Sequence, residues 1–244
     1  MKRKDVAELA GSVGLGAWTA FAVLSMFVIG DGSPLFLDRT LLNWSVGHRP
    51  DMGVVLARGL TATGTGVIPY ALVVVAGLLA GRTPRQRLLA AALGTLCLGT
   101  GQGLRYGVMS LIARPRPPHS HWDAQASGWS FPSGHTTTAA LTAGLVILAI
   151  CVCAPRARTL LCLAVGGWGA LVGATRVYLG VHWFTDVVGG WLFAVGWLGV
   201  CLCAAAWWLP ARLITAPTDP DPAVPPLEEH APQDPGRRGR SRPA

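Results

Sequence analysis

Charge is scarce in this chain. Of its 244 residues only 13% are Asp, Glu, Lys or Arg, about half the share an ordinary soluble domain carries. Lysine is confined to Lys2 and Lys4. The shortage argues against a water-exposed globular surface as the main architecture. The net charge of +8 is not gathered on any soluble segment, so a nucleic-acid surface is not expected. Cysteine supplies no framework either. Cys97, Cys151, Cys153, Cys162, Cys201 and Cys203 all lie in apolar runs, and the two CxC pairs point their members to different helix faces. They read as small buried hydrophobes, not as disulfides or a zinc site. No repeat of fixed period is present, and no set of carboxylates or histidines has metal-ligand spacing. His119, His121 and Asp123 in HSHWD read as solvated loop residues, so no metal and no cofactor is expected.

What the chain does have is apolar length. Hydrophobic residues make up 51% and mean hydropathy is +0.44. Charge-free runs cover Ala10–Gly30, Gly59–Gly81, Leu88–Leu104, Thr136–Pro155, Thr159–Thr175 and Val187–Ala211. Each is read as one crossing of a hydrocarbon core about 30 Å thick. The expected fold is therefore all-α, a polytopic bundle of six transmembrane helices. The first run follows MKRKD but is longer than a signal-peptide core and lacks a small-residue cleavage pattern, so it reads as a retained helix. Lys2, Arg3, Lys4, Arg82, Arg85, Arg87, Arg156, Arg158 and Arg212 all fall on one side if the spans alternate. The positive-inside rule then puts both termini in the cytoplasm, in an inner-membrane protein. Within Asp31–Arg58, Leu37, Leu41, Leu42 and Trp44 suggest a short interfacial helix on the outer face, or else an ordinary packed loop. Residues 1–209 form the membrane domain. Residues 210–244, rich in Pro and charge, are expected to be a disordered cytoplasmic tail.

The uncommon polar residues fall at the ends of these runs. Arg105 lies about 26 Å along the third helix from Leu88, near its outer end. Arg114 and Arg116 lie in ARPRPPHSHW, where three prolines stop the helix. FPSGHTTTAA (Phe131–Ala140) opens the fourth helix, and TRVYLGVHWFTD (Thr175–Asp186) joins the fifth to the sixth. Separate segments thus deliver Arg114, Arg116, Ser133, Gly134, His135, Arg176, His182 and Asp186 to one membrane face. Ser133 suits a helix N-cap, and Gly134 lets backbone approach a ligand. The first-turn amides and helix dipole make an anion site with His135 beside it. His182 and Asp186, four apart, face each other if the helix has begun. A carboxylate on one ring nitrogen leaves the other free as a nucleophile, although an i, i+4 pair also serves as a plain structural contact. Guanidinium groups bind phosphate with forked hydrogen bonds, and near a membrane they also anchor headgroups.

Together these residues resemble the type 2 phosphatidic acid phosphatase superfamily, whose motifs are Lys-x6-Arg-Pro, Pro-Ser-Gly-His and Ser-Arg-x5-His-x3-Asp. The second stands intact as Pro132-Ser133-Gly134-His135. The third stands as Thr175-Arg176, then His182 and Asp186, with threonine for serine. The first is partial, since Arg116-Pro117 matches but Met109 occupies the lysine position. The resemblance extends over roughly Leu35–Leu209. It implies that His182 attacks phosphorus, Asp186 orients it and His135 protonates the leaving oxygen. Arg116, Arg176 and the backbone at Ser133 and Gly134 would neutralise the phosphoryl oxygens. Arg105 or Arg114 would supply the cation that Met109 does not.

The expected activity is metal-independent hydrolysis of a lipid phosphate monoester or diphosphate at the extracytoplasmic face. The low lysine and abundant Ala, Gly and Arg look bacterial, which makes undecaprenyl diphosphate a natural candidate beside phosphatidic acid and phosphatidylglycerol phosphate. Two other readings compete. One is a non-catalytic lipid-phosphate binder or transporter, which has no need of the His182, Asp186 and His135 set. The other is a vanadate-dependent haloperoxidase, whose relatives are soluble.

Overall fold

A computed structural model describes residues 3–30, 33–153 and 156–209. These form eight α-helices: α1 (Arg3–Ile29), α2 (Phe36–Gly47), α3 (Asp51–Ala62), α4 (Val67–Ala80), α5 (Pro84–Ile112), α6 (Gly134–Cys153), α7 (Arg158–Tyr178) and α8 (Phe184–Trp208). One 3-10 turn, His119–His121, interrupts the long α5–α6 connection. Residues 210–244, expected as a disordered tail, lie outside the described residues.

Local chemistry sets the boundaries. The Thr83 hydroxyl accepts the Gln86 N–H at 3.2 Å and Pro84 occupies the first turn of α5, a position that needs no amide donor. The same helix stops at Ala113, which is left-handed at φ 49°, just before Pro115. At the start of α8, Asp186 accepts the Trp183 N–H at 2.9 Å and fastens the first turn.

Helices α1, α6, α7 and α8 are each long and apolar enough to cross a membrane. Gly59–Gly81, expected as one continuous span, is instead the end of α3 plus α4, bent by 51°. The break falls in Thr63-Gly64-Thr65-Gly66. Gly66 is left-handed at φ +69°, and Gly64 lies so close to Val172 that no side chain fits there. Counted as one crossing, the bent pair is a fifth span. Helix α5, with 29 residues, reaches about 44 Å but is less apolar, since Gln102 and Arg105 interrupt its second half. The Asp31–Arg58 segment holds two helices where one was expected, α2 and most of α3, separated at Pro50. Leu42 is buried, whereas Leu37 and Trp44 remain exposed.

Small residues allow the helices to approach closely. A Cβ added at Gly199 of α8 would stand 2.7 Å from the Gly14 Cα of α1. An aromatic cluster of Trp18, Phe21, Phe131 and Phe193 joins those helices to the segment before α6, with the Phe21 and Phe131 rings stacked at 5.6 Å. It seats Pro132 and Ser133. The α5–α6 connection is fixed from the opposite side. Arg49 contacts Asp123 at 2.8 Å and the His121 carbonyl at 2.9 Å, and Arg58 donates to the Asp123 carbonyl. The C-terminal ends of α5 and α7 and the N-terminal ends of α6 and α8 consequently meet at one end of the bundle.

Candidate active site

A cavity of about 320 Å³ opens at that end, walled by Arg105, Met109, Arg116, Gly134, His135, Arg176 and His182, with Gln102, Thr65 and Thr138 among its other neighbours. Three segments far apart in sequence therefore bring both imidazoles to a single chamber.

His182 is 2% exposed. Its Nδ1 lies 3.2 Å from Asp186 Oδ2, and its Nε2 is 3.0 Å from Arg116 Nη1. An arginine only donates, so Nε2 carries the lone pair and Nδ1 the proton. This is the tautomer a nitrogen nucleophile needs. The sequence expectation had His182 and Asp186 face each other if the helix had begun at His182, but α8 begins at Phe184. His182 lies just ahead of that helix, and the pair forms because Oδ2 accepts both Nδ1–H and the capping Trp183 amide. Burial pushes the His182 imidazole down to about 4. The Asp186 hydrogen bond opposes this shift, while Arg116 and Arg176 reinforce it. His182 is therefore neutral at pH 7.

All five N–H groups of Arg116 have acceptors in the protein. Nε donates to the Gly128 carbonyl, Nη2 to those of Ser127 and Trp129, and Nη1 to Val181 and His182 Nε2, at 2.8–3.0 Å. An incoming oxygen reaches this guanidinium by taking the Nη1–H now shared with His182. Arg176 donates to Thr61 Oγ1 at 3.2 Å and its Nε has no hydrogen-bond partner among the described residues. Arg105 leans its Nη1 on Met109 Sδ at 3.1 Å, and among the described residues its Nε also has no hydrogen-bond partner. The Arg105 guanidinium lies only 3.3 Å from where a Cβ on Gly134 would stand. A side chain at position 134 would press on the cation at the helix N-terminus, which would have to give by a few tenths of an ångström. Arg105, Arg116 and Arg176 make no salt bridge among the described residues. The chamber is set up for an anion.

Two expected phosphate contacts are placed elsewhere. Arg114 is 2% exposed and does not border the cavity. Its Nη1 donates to Asp186 Oδ1 and Thr185 Oγ1, and its Nη2 to Asp38 Oδ2 at 2.8 Å. Two buried carboxylates hold it behind the site, so of the two candidates to replace the missing lysine only Arg105 faces the chamber. Ser133 is fully buried. Its amide donates to the Asp186 carbonyl at 3.0 Å and its hydroxyl accepts from Thr136 at 3.0 Å. The Ser133 N–H is thus committed to joining α6 to α8, and the backbone left for an anion begins at Gly134, whose following amides lack intrahelical acceptors. Thr175, in the serine position of the third motif, donates to the Val172 carbonyl at 2.6 Å and faces away from the chamber.

Sequence reading missed Asp38 and Thr185. Asp38 is fully buried and accepts the Thr185 amide at 2.8 Å and the Thr185 hydroxyl, as well as Arg114. No local pattern in the sequence marks it, since Arg39 follows directly and the surrounding segment is polar. Among the described residues no three His, Cys, Asp or Glu side chains gather as metal ligands. His119 stacks on Trp122 at 3.9 Å, and Asp123 faces Arg49 and Arg58.

The sequence model of the PAP2 superfamily matches residues 87–210, just over half of the chain. The chain belongs to the PAP2 superfamily. Phosphatidylglycerophosphatase B of Escherichia coli (strain K12) is 37% identical over 116 residues, which cover 48% of this PAP2 chain and 40% of that protein. The Bacillus subtilis (strain 168) protein of the same name is 32% identical over 143 residues, covering 57% of this chain and 68% of that one. The chain thus spans well under half the length of the Escherichia coli relative. A crystal structure described as the first transmembrane PAP2-type phosphatidylglycerolphosphate phosphatase, from Bacillus subtilis, superposes with a TM-score of 0.67 at 26% identity, over 80% of this chain and 94% of that one. The chain is thus an all-helical, multi-pass membrane protein of this superfamily.

Proposed function

We propose that this PAP2 protein hydrolyses a phosphate ester on a membrane lipid through a phosphohistidine at His182. The observation that carries the reading is the His182 ring, held by Asp186 at Nδ1 and presenting its Nε2 lone pair to a cationic chamber shared with His135. Nε2 attacks phosphorus, the bond to the lipid oxygen breaks, and His135, entering the step as imidazolium with the bound phosphate dianion beside it, delivers its proton to that oxygen. Water then attacks the phosphorus, with His135 taking its proton, and releases inorganic phosphate and neutral His182. Arg105, Arg116, Arg176 and the Gly134 end of α6 hold the phosphoryl oxygens and stabilise the charge of the transition state. Ser133 and Arg114 act through Asp186. No step calls for a metal.

The same reading makes α5 the sixth span, with its polar half facing the chamber and its apolar half facing lipid. Both termini then lie in the cytoplasm, and the chamber opens at the extracytoplasmic face of the inner membrane, with α2 at the interface. The arginines at positions 82, 85, 87, 156 and 158 support this orientation. A binder or transporter would make no use of a nucleophile fixed in one tautomer. The test is phosphate release from a panel of lipid phosphates by detergent-purified protein in chelator, beside a His182→Ala control. Release with equal rates for both proteins, or from no lipid, defeats the proposal.

A further inference from the structure

We infer that Asp38 of α2 is a positioning residue for the phosphoryl transfer: it sets the charge behind His182 at a net −1, so that the imidazole can carry the positive charge it gains with phosphorus. The inference rests on the phosphatase reading above and deepens it by a residue that never touches the lipid.

Three side chains joined by salt bridges lie in a row behind His182. Asp38 and Asp186 are fully buried, and Arg114 is nearly so. Arg114 bridges the two acids, with Nη2 on Asp38 Oδ2 at 2.8 Å and Nη1 on Asp186 Oδ1. Asp186 turns its other oxygen to His182 Nδ1 at 3.2 Å and to the Trp183 amide at 2.9 Å. Thr185 closes the row, its hydroxyl accepting from Arg114 at 2.8 Å and donating to Asp38. Asp38 also accepts the Thr185 amide at 2.8 Å and the Leu35 amide at 3.1 Å, so both of its oxygens are held in place. None of the three borders the chamber, and at this depth salt screens them little.

The charges do not cancel. Two carboxylates and one guanidinium leave one negative charge on the Nδ1 side of the ring. The chamber side carries Arg105, Arg116 and Arg176, which suit a phosphate but oppose any positive charge on the imidazole. The transfer step creates such a charge. As Nε2 bonds to phosphorus, the electron pair of the broken P–O bond leaves with the lipid oxygen, which takes its proton from His135. Nδ1 keeps its own proton, so the ring passes from neutral to a unit positive charge. Water attack on phosphorus later returns the lone pair to Nε2. If Arg114 faced Asp186 alone, that pair would be neutral, and the charged ring would meet cations in front and no net charge behind. Asp38 takes up the charge of Arg114 and leaves that of Asp186 for the ring. The stabilisation exists only once the ring is charged, so it acts on turnover and not on substrate binding.

The experiment measures release from whichever lipid phosphate of the panel the unmodified protein hydrolyses fastest, with inorganic phosphate as the competing anion. In Asp38→Asn the charge behind the ring becomes zero. Its kcat per folded protein should drop roughly tenfold, while the inhibition constant of inorganic phosphate stays within about twofold. Asp38→Asn/Arg114→Gln restores the net −1, since Asp186 then stands alone, and most of the lost kcat should return although two salt bridges are gone. A purely structural Asp38 gives the reverse, a double variant no faster than the single one, and that result overturns the inference. So does a single variant with unchanged kcat, or one whose loss lies in KM and phosphate affinity. Should Asp38→Asn not fold, the double variant decides by itself: kcat within about threefold of the unmodified protein supports the inference, and a larger loss overturns it. Each of these outcomes leaves the phosphatase reading standing. Release by the unmodified protein no greater than that of His182→Ala from every lipid defeats both.

Discussion

Replacing Arg105 tests how the chain works with methionine where the family has lysine. Met109 cannot donate to a phosphoryl oxygen, whereas Arg105 reaches the N-terminus of α6 one helical turn earlier, its guanidinium against Gly134 and its Nη1 resting on Met109 Sδ. One charge-assisted hydrogen bond contributes about 1.5–3 kcal/mol, so Arg105→Ala should lower kcat/KM by about 10- to 150-fold. No carboxylate pairs with Arg105 among the described residues. The variant therefore leaves no buried acid unpaired, and its melting temperature should change little. Met109→Lys alone should bring no gain, because a second cation would crowd the first. In the double variant Arg105→Ala/Met109→Lys the ammonium takes the vacated space, and much of the lost rate should return. Steady-state phosphate release in detergent, with kcat and KM resolved and thermal denaturation measured in parallel, checks all three proteins. Unchanged turnover and affinity in Arg105→Ala would refute the substitution argument. A double variant no better than Arg105→Ala would show that the two positions do not serve the same oxygen.

The buried His182 imidazole, held near 4 against an ordinary 6.5, fixes the sign of the acid response. Protonation removes the Nε2 lone pair, so kcat/KM should be flat with respect to this group from neutrality to about pH 5 and fall as pH drops through about 4; a limb centred at 6.5 would contradict the burial argument. Behind the site, Asp38→Ala removes one of the two carboxylates on Arg114 and should destabilise the fold by about 3–5 kcal/mol. Adding Arg114→Ala to it should cost much less than the sum of the single changes, and additive losses in thermal denaturation would show that the two are not coupled.

Legibility followed spacing. Pro132-Ser133-Gly134-His135 and Arg176-x5-His182-x3-Asp186 were readable because each holds its geometry within one turn or one helix start, where sequence distance fixes spatial distance. The contact of Arg114 with Asp38 bridges 76 positions and that of Asp38 with Thr185 bridges 147. No local pattern records either, so Arg114 looked like a phosphate ligand when it is an anchor. Ser133 misled for a related reason. Its N-cap position was legible, but the claim of the Asp186 carbonyl on its amide comes from another helix. The break between α3 and α4 was written in Thr63-Gly64-Thr65-Gly66, and an apolar run counted by charge alone passed over it.

The link through Asp38 also bears on how much chain the chemistry requires. Similarity to the family model begins at residue 87, yet the acid that shares Arg114 with Asp186 comes from α2, far upstream in the sequence. A protein trimmed to the matched stretch would keep both histidines and lose that counter-charge, and Arg114 would then draw on Asp186 alone, at the expense of its grip on His182. The electrostatic tether thus reaches about fifty residues upstream of the stretch that the family model matches.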